Sequence, residues 1–198
     1  MNLRLSHALL LVLGFGTSAS VFAQQADRSI IQAEAASHGN GRLAVNQTAG
    51  VGNAQVNLMA VAKGKVADGS TTATQLALNP DTARTAESVI EAGAFKGFQG
   101  ALALNQSSGA NTLQANLLVI ETREAVTATD DRVLAQIVPG TPPTEGAGSA
   151  PEVSREARID ASAFRGASGV LQVNQSAGVG NAATNAVVVR LPATAGGI

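Results

Sequence analysis

One short pattern occurs three times in this chain and limits what the chain can fold into. Leu43-Ala-Val-Asn-Gln-Thr-Ala-Gly-Val-Gly-Asn53 returns as Leu102-Ala-Leu-Asn-Gln and again as Leu171-Gln-Val-Asn-Gln. The Asn-Gln pairs fall at 46–47, 105–106 and 174–175, so the second interval is longer than the first. A unit of fixed length is therefore separated by spacers of unequal length. Ungapped extension gives units at 31–62, 90–121 and 159–190, with spacers at 63–89 and 122–158. Nine positions are identical in all copies, which in the first are Ile31, Ala33, Ala35, Gly41, Leu43, Asn46, Gln47, Gly50 and Asn57. Self-similarity at this period marks a repeat architecture, in which one unit cannot bury its own apolar face and stacking supplies the core.

Within a unit the pattern favours strands. Ile31, Ala33 and Ala35 alternate with their neighbours, which predicts a first strand. His38-Gly39-Asn40-Gly41 reads as a turn. Leu43, Val45 and Gln47 then share one strand face, and Ala44, Asn46 and Thr48 the other. Gly50-Val51-Gly52-Asn53 reads as a second turn, and Ala54–Ala62 as a third strand, apolar on both faces and so expected to be buried on both. Gly41, Gly50, Gly100, Gly109, Gly169 and Gly178 are the expected turn glycines. Glycine interrupts each unit too often for a helix. The predicted fold is all-β: three stacked repeats forming a β-solenoid or cross-β layer stack, joined by irregular linkers.

Stacking in register at about 4.8 Å would place identical residues above one another. Asn46, Asn105 and Asn174 then form one amide ladder. Gln47, Gln106 and Gln175 form a second on the opposite strand face, and Asn57, Asn116 and Asn185 a third. Each amide donates along its column and accepts from it, which satisfies groups that would otherwise be costly to bury. These nine residues are the predicted self-assembly site.

The flanking segments differ from the units. Residues 1–23 read as a secretory signal peptide: Arg4 in the basic region, Ala8–Gly14 as the apolar core, and Val21-Phe22-Ala23 as a small-residue cleavage site. That apolar run is far below the roughly 20 residues needed to span a bilayer, so the expectation is an exported protein that is not integral to the membrane. Residues 24–30 form a polar lead expected to be mobile, and 191–198 a short tail. In the first linker, Asn79-Pro80-Asp81 resembles a helix start, with a short helix running toward Val89. The second contains Pro139-Gly140 and Pro142-Pro143 and reads as a flexible loop. The three units hold eight charged side chains and the two linkers sixteen, so solvated loops flank almost neutral layers.

Composition excludes several functions. The chain has no cysteine, so packing and backbone pairing must supply its stability. A formal net charge of −1 and 3% aromatic residues, with no Trp or Tyr, leave neither a basic surface nor stacking platforms for nucleic acid. His38 is the one histidine after the signal segment, and a turn residue suits it better than a metal ligand. Asn46, Asn105 and Asn174 each begin an Asn-x-Ser/Thr pattern, but their place in a buried layer outweighs glycosylation. Asp130-Asp131 reads as a solvated loop pair rather than a cation site. Phe95, Phe98 and Phe164 read as packing residues at layer corners. No catalytic constellation can be assembled, so no enzyme activity, cofactor or metal is expected.

The ends of the stack are as regular as its middle, without the polar caps that close ordinary solenoids. Exposed edges of this kind recruit another chain, which points to head-to-tail stacking into a fibre. At this point the sequence also resembles a family. Ala163-Phe164-Arg-Gly166-Ala-Ser-Gly169, then Val173-Asn174-Gln-Ser-Ala177-Gly178-Val-Gly180-Asn181 and Asn185, resembles the repeat of the Fap functional amyloids of bacterial biofilms. The layout is similar too: a signal peptide, three imperfect repeats and two unequal linkers. Gln47–Asn53 resembles, more distantly, the Gln-x-Gly-x-x-Asn spacing of curli. The chain departs from the Fap pattern in lacking a terminal Cys-x-Cys motif. The resemblance implies a secreted subunit, major, minor or nucleating, on the surface of a Gram-negative bacterium. It would leave through an outer-membrane export pore, assemble with itself and related fibre subunits, and support biofilm matrix and adhesion. The competing expectation is a secreted β-solenoid adhesin that binds a surface ligand without polymerising.

Overall fold

The computed structural model describes residues 26–64, 70–76, 84–123 and 153–192. Among these there is no helix, and 68% lie in strands. Each repeat folds into one layer of three strands. The first layer holds β1 (Ala26–Ile31), β2 (Asn40–Val51) and β3 (Ala54–Gly64). The second holds β4 (Thr85–Ile90), β5 (Gln99–Ala110) and β6 (Leu113–Arg123), and the third β7 (Arg155–Ile159), β8 (Ser168–Val179) and β9 (Ala182–Pro192).

Strands of one layer do not pair with each other. The sheets instead run β1-β4-β7, β2-β5-β8 and β3-β6-β9, one strand from each layer, with every pairing parallel. The register is that of the ungapped repeat: Asn46 pairs with Asn105 and Asn105 with Asn174, while Asn57, Asn116 and Asn185 align in the third sheet. Backbone bonds thus hold the layers together, and side chains hold the three sheets together. The middle sheet packs against both others.

The two sheet interfaces differ because strand alternation divides the middle sheet's side chains. Leu102, Leu104 and Gln106 face the first sheet, where Ile31, Ile90, Ala94, Phe95 and Phe98 complete the apolar core. Phe164 stacks on Phe95 with ring centroids 5.2 Å apart, so aromatics fill one corner of the core, as the sequence predicts. Asn105 and Ser107 face the third sheet and meet its amides. Burial is concentrated in the middle layer: Ile90, Leu104 and Leu113 are fully enclosed. Of the strands expected to be buried on both faces, β6 is enclosed from Leu113 to Val119, whereas β3 and β9 are only partly covered because each lies at one end of the stack.

Several local expectations are corrected. The first strand is Ala26–Ile31, not the alternating stretch after Ile31, so residues 26–30 of the lead belong to a paired strand and the layer extends beyond 31–62 at both ends. Residues 33–38 are instead a compact turn. Its alternation is real but arises from left-handed residues at every second position, Glu34, Ala36 and His38 at φ 58, 52 and 55. Interlayer backbone bonds hold that turn in register, as in Phe95 N–H to Ala35 O at 2.8 Å and Phe164 N–H to Ala94 O at 2.9 Å. The expected helix toward Val89 is overturned where it can be seen, since Thr85–Ile90 is β4, held by parallel pairing on both sides. Its start at Asn79-Pro80, the signal segment, Asp130-Asp131 and the Pro/Gly loop of the second linker lie outside the described residues.

Gly41, Gly50 and their equivalents sit inside strands rather than in the turns, and they bend those strands at positive φ. At Gly50, Gly100, Gly109 and Gly169 the need for glycine comes from the neighbouring layer as well as from φ, whereas Gly41 faces open space. A Cβ on Gly100 would lie 2.1 Å from the Gly41 carbonyl oxygen, and one on Gly109 would lie 1.9 Å from that of Gly178. The turn between the second and third strands uses Gly52, Asn111 and Gly180 at φ 66, 53 and 70. Asparagine tolerates this conformation better than most residues, which explains why the second copy can depart from Gly-Asn there.

Asp160 closes the third-layer turn. Its Oδ1 accepts from the Ser162 hydroxyl at 2.6 Å and from the Ser162 backbone N–H at 2.8 Å. These bonds, the hydroxyl's first, hold its carboxyl below the usual carboxylate range. A depressed folded value stabilises above the unfolded value, about 3.9, and that contribution is lost as the pH falls through the folded one.

Two predictions follow from this geometry. Gly109→Ala should destabilise the fold by roughly 3 kcal/mol or more, through backbone overlap added to strain at positive φ. Gly64→Ala, with open space around it, should stay near wild type, and urea unfolding followed by circular dichroism compares the two. For Asp160→Ala, the deficit relative to wild type should be present at pH 7 and shrink below about pH 3.9, as read from urea midpoints across pH.

Candidate functional site

The structure brings all nine predicted ladder residues into three columns. Asn105 Nδ2 donates to Asn46 Oδ1 at 3.0 Å, and Asn174 Nδ2 to Asn105 Oδ1 at 3.0 Å. In the facing sheet, Asn116 Nδ2 donates to Asn57 Oδ1 at 2.9 Å and Asn185 Nδ2 to Asn116 Oδ1 at 3.0 Å. The two asparagine columns are also bonded to each other within every layer. Asn57 reaches Asn46, Asn116 reaches Asn105, and Asn185 reaches Asn174, at 2.8, 2.9 and 2.9 Å. Sequence reasoning gives two separate ladders here, whereas the structure joins them into one double ladder between the middle and third sheets.

The glutamine column lies on the other face of the middle sheet, as alternation requires. Gln106 Nε2 donates to Gln47 Oε1 at 3.1 Å, and Gln175 Nε2 to Gln106 Oε1 at 3.0 Å. Each also ties the middle sheet to the first through a backbone carbonyl: Gln47 to Ile30, Gln106 to Val89 and Gln175 to Arg158, at 2.8, 2.9 and 3.0 Å. Asn105, Gln106 and Asn116 have no solvent exposure, so their bonds carry the whole cost of burying a primary amide.

A further column escapes the sequence reading. Gln55 Nε2 donates to Gln114 Oε1 at 2.8 Å and also to Ser107 Oγ and the Gln47 carbonyl. Gln114 Nε2 continues to Ser176 Oγ at 3.1 Å. Here the third copy has Ala183, so a search for identical positions passes over it. The missed signal is chemical: Gln55 and Gln114 lie opposite Thr48, Ser107 and Ser176, a hydroxyl in every copy, and Thr48 Oγ1 meets Ser107 Oγ at 3.1 Å.

Among the described residues, no group of three or more His, Cys, Asp or Glu could hold one metal ion. His38 is an exposed turn residue whose ring lies against Gly97. Asn105 and Asn174 are buried within the ladder. What the arrangement can do is extend, because each layer presents the groups that bonded the layer before it.

Compared with known protein families, residues 16–192 match the functional amyloid protein FapB/FapC family. The chain belongs to that family. The match runs through all three layers and both linkers, so the FapB/FapC assignment covers the double ladder and the glycine columns together. The structure gives this FapB/FapC member an all-β architecture of three stacked parallel sheets without a closed barrel. No solved structure matches the chain.

The double ladder makes a sharp prediction for the central layer. Asn105→Asp would replace the Nδ2 donor with a carboxylate oxygen facing Asn46 Oδ1, Asn57 Oδ1 and the Val56 carbonyl. It should cost about 3 kcal/mol or more at pH 7, because one oxygen of the buried carboxylate would face three acceptors, while only the other keeps the donors of Asn116 and Asn174. Burial against those acceptors raises the folded pKa of the new carboxyl, so the charge penalty should shrink as the pH falls from that raised value toward about 4 and be gone below it, where the group is protonated in both states. Urea midpoints relative to wild type at matched pH test this.

Proposed function

We propose that the chain is an exported structural subunit that assembles with itself into extracellular amyloid fibres, supporting biofilm matrix and surface attachment. The observation that carries this reading is the in-register stack, whose amide columns and sheet edges continue through all three layers with no cap among the described residues. Membership of the FapB/FapC family supports it independently. Growth consists of adding layers, which extends each sheet by parallel pairing and each column by one more amide bond. The nine ladder residues set register during that addition, and the glycine columns permit the close approach.

Export follows from the secretory signal read at 1–23, with passage through an outer-membrane pore of a Gram-negative cell. Related fibre subunits are partners on the same chemistry, because any chain with matching Asn-Gln spacing extends the columns. The role is mechanical and involves no substrate or cofactor.

The test uses residues 24–198, diluted from denaturant at neutral pH. Thioflavin fluorescence should rise, electron microscopy should show fibres, and fibre diffraction should show a reflection near 4.8 Å. Changing Asn46, Asn105 and Asn174 together to Asp should block assembly at neutral pH by stacking like charges at strand spacing. A β-rich monomer that stays soluble for days would favour a non-polymerising adhesin instead, and unchanged fibre yield in the triple variant would remove the ladder from the mechanism.

A further inference from the structure

The two ends of the stack are chemically different, and they complement one another. In the asparagine and Gln47 columns every interlayer bond runs the same way, with the amide N–H of a later layer donating to the carbonyl of an earlier one. The third layer therefore turns Asn174 Oδ1 and Gln175 Oε1 outward, and the first layer turns outward the amide nitrogens of Asn46 and Gln47. An acceptor face and a donor face match only when the last layer of one copy meets the first layer of another. That contact also preserves the parallel pairing found throughout the chain.

Charge at the edge of the first sheet points the same way. Asp27, Ala86 and Arg155 occupy one column, as do Arg28, Glu87 and Glu156. Inside the chain, Arg28 pairs with Glu87 across one layer at 2.8 Å, which shows that such columns form interlayer ion pairs. Glu156, however, stacks on Glu87, a like charge directly opposite on the neighbouring strand. Arg155 stacks on neutral Ala86, and no carboxylate among the described residues pairs with it. Arg155 lies over Gly178 much as Asp27 lies over Gly50, so both side chains sit on the inward side of the first sheet.

We propose that the third layer docks on the first layer of a second copy in continued register, pinned by Arg155 against Asp27 and by Glu156 against Arg28 of that copy. This deepens the fibre reading above and rests on it. Continued stacking brings each pair one strand spacing apart, roughly 4.8 Å between backbones, within reach of an ion pair. Glu156, which already pairs with Arg158 of its own strand at 3.4 Å, then gains a second cation on its open side, opposite Glu87. Of the two pairs, Arg155–Asp27 dominates: Asp27 is already 6% exposed in the single chain, held by Arg84 at 2.7 Å. Arg28 and Glu87, by contrast, are 61% and 36% exposed, and pairs at such exposure contribute little. The junction is heterologous and open, so it generates a filament with one direction.

The experiment is seeded elongation, each mature variant being added to fragments of its own fibres at low salt. Arg155→Glu should slow elongation by about ten-fold or more, with the defect shrinking in high salt. Arg165→Glu makes the same charge change on an exposed turn of the same layer and should elongate at the wild-type rate. In an Asp27→Asn background, Arg155→Glu should cause only a small further change, because its repelling partner is gone. The proposal is overturned if Arg155→Glu elongates normally, if Arg165→Glu is equally slow, or if the defect persists undiminished with Asp27→Asn. A wild-type chain that forms no fibres would instead sink the fibre reading, and this junction with it.

Discussion

A buried primary amide must find both a donor and an acceptor, and nearly everything else in this structure is arranged around that requirement. Asn105, Gln106, Gln114 and Asn116 have no contact with solvent. An amide has its N–H on one side and its carbonyl on the other, so it is best satisfied by copies of itself one strand spacing above and below. That condition fixes the register of the sheets to the residue. The second N–H of each amide reaches a backbone carbonyl in the facing sheet, as Asn116 does to Leu104 at 3.0 Å, so the same groups also set the distance between sheets. Once register and spacing are fixed, the glycine columns follow, because the backbones then approach too closely for a Cβ.

The division of labour between interfaces follows from the same geometry. Between the first and middle sheets, aliphatic side chains and the Phe95–Phe164 stack bury apolar area, with one glutamine column holding the register. Between the middle and third sheets, amides and hydroxyls occupy the interface. Apolar packing tolerates small slips, whereas a hydrogen-bonded column does not. One interface thus contributes non-directional burial and the other contributes specificity. A chain with no cysteine and few aromatics can afford this arrangement because its backbone bonds run along the stack and join every layer to the next.

Legibility of the sequence varied with how strongly each feature depends on side-chain identity. The Asn46 and Gln47 columns, the ungapped register and the all-β layer stack could be read directly, because a ladder requires the same residue in every copy. β1, β4 and β7 could not. Their column contents, such as Asp27, Ala86 and Arg155, share no identity, and the pairing is a backbone property. The stretch after Ile31 misled for a related reason, since left-handed residues at every second position imitate the period of a strand. The helix expected near Val89 rested on local propensity, which parallel pairing on both sides of β4 overrides. The Gln55–Gln114 column was hidden by Ala183, although opposing hydroxyls in every copy mark the place where its donors end.

The concentration of burial in the middle layer has a consequence for how such a stack comes into being. A lone chain has three layers, and two of them are surfaces. Amides and backbone groups on those outer faces that meet no partner among the described residues would represent a fixed interfacial cost, the same however many layers a stack contained. Each added layer enlarges only the interior. The smallest object therefore carries the greatest cost for its size, as a crystal embryo does, and the matter it contains becomes more stable simply by being part of something longer. For a protein of this shape, a threshold of size comes with the architecture, and no separate switch is required to create it.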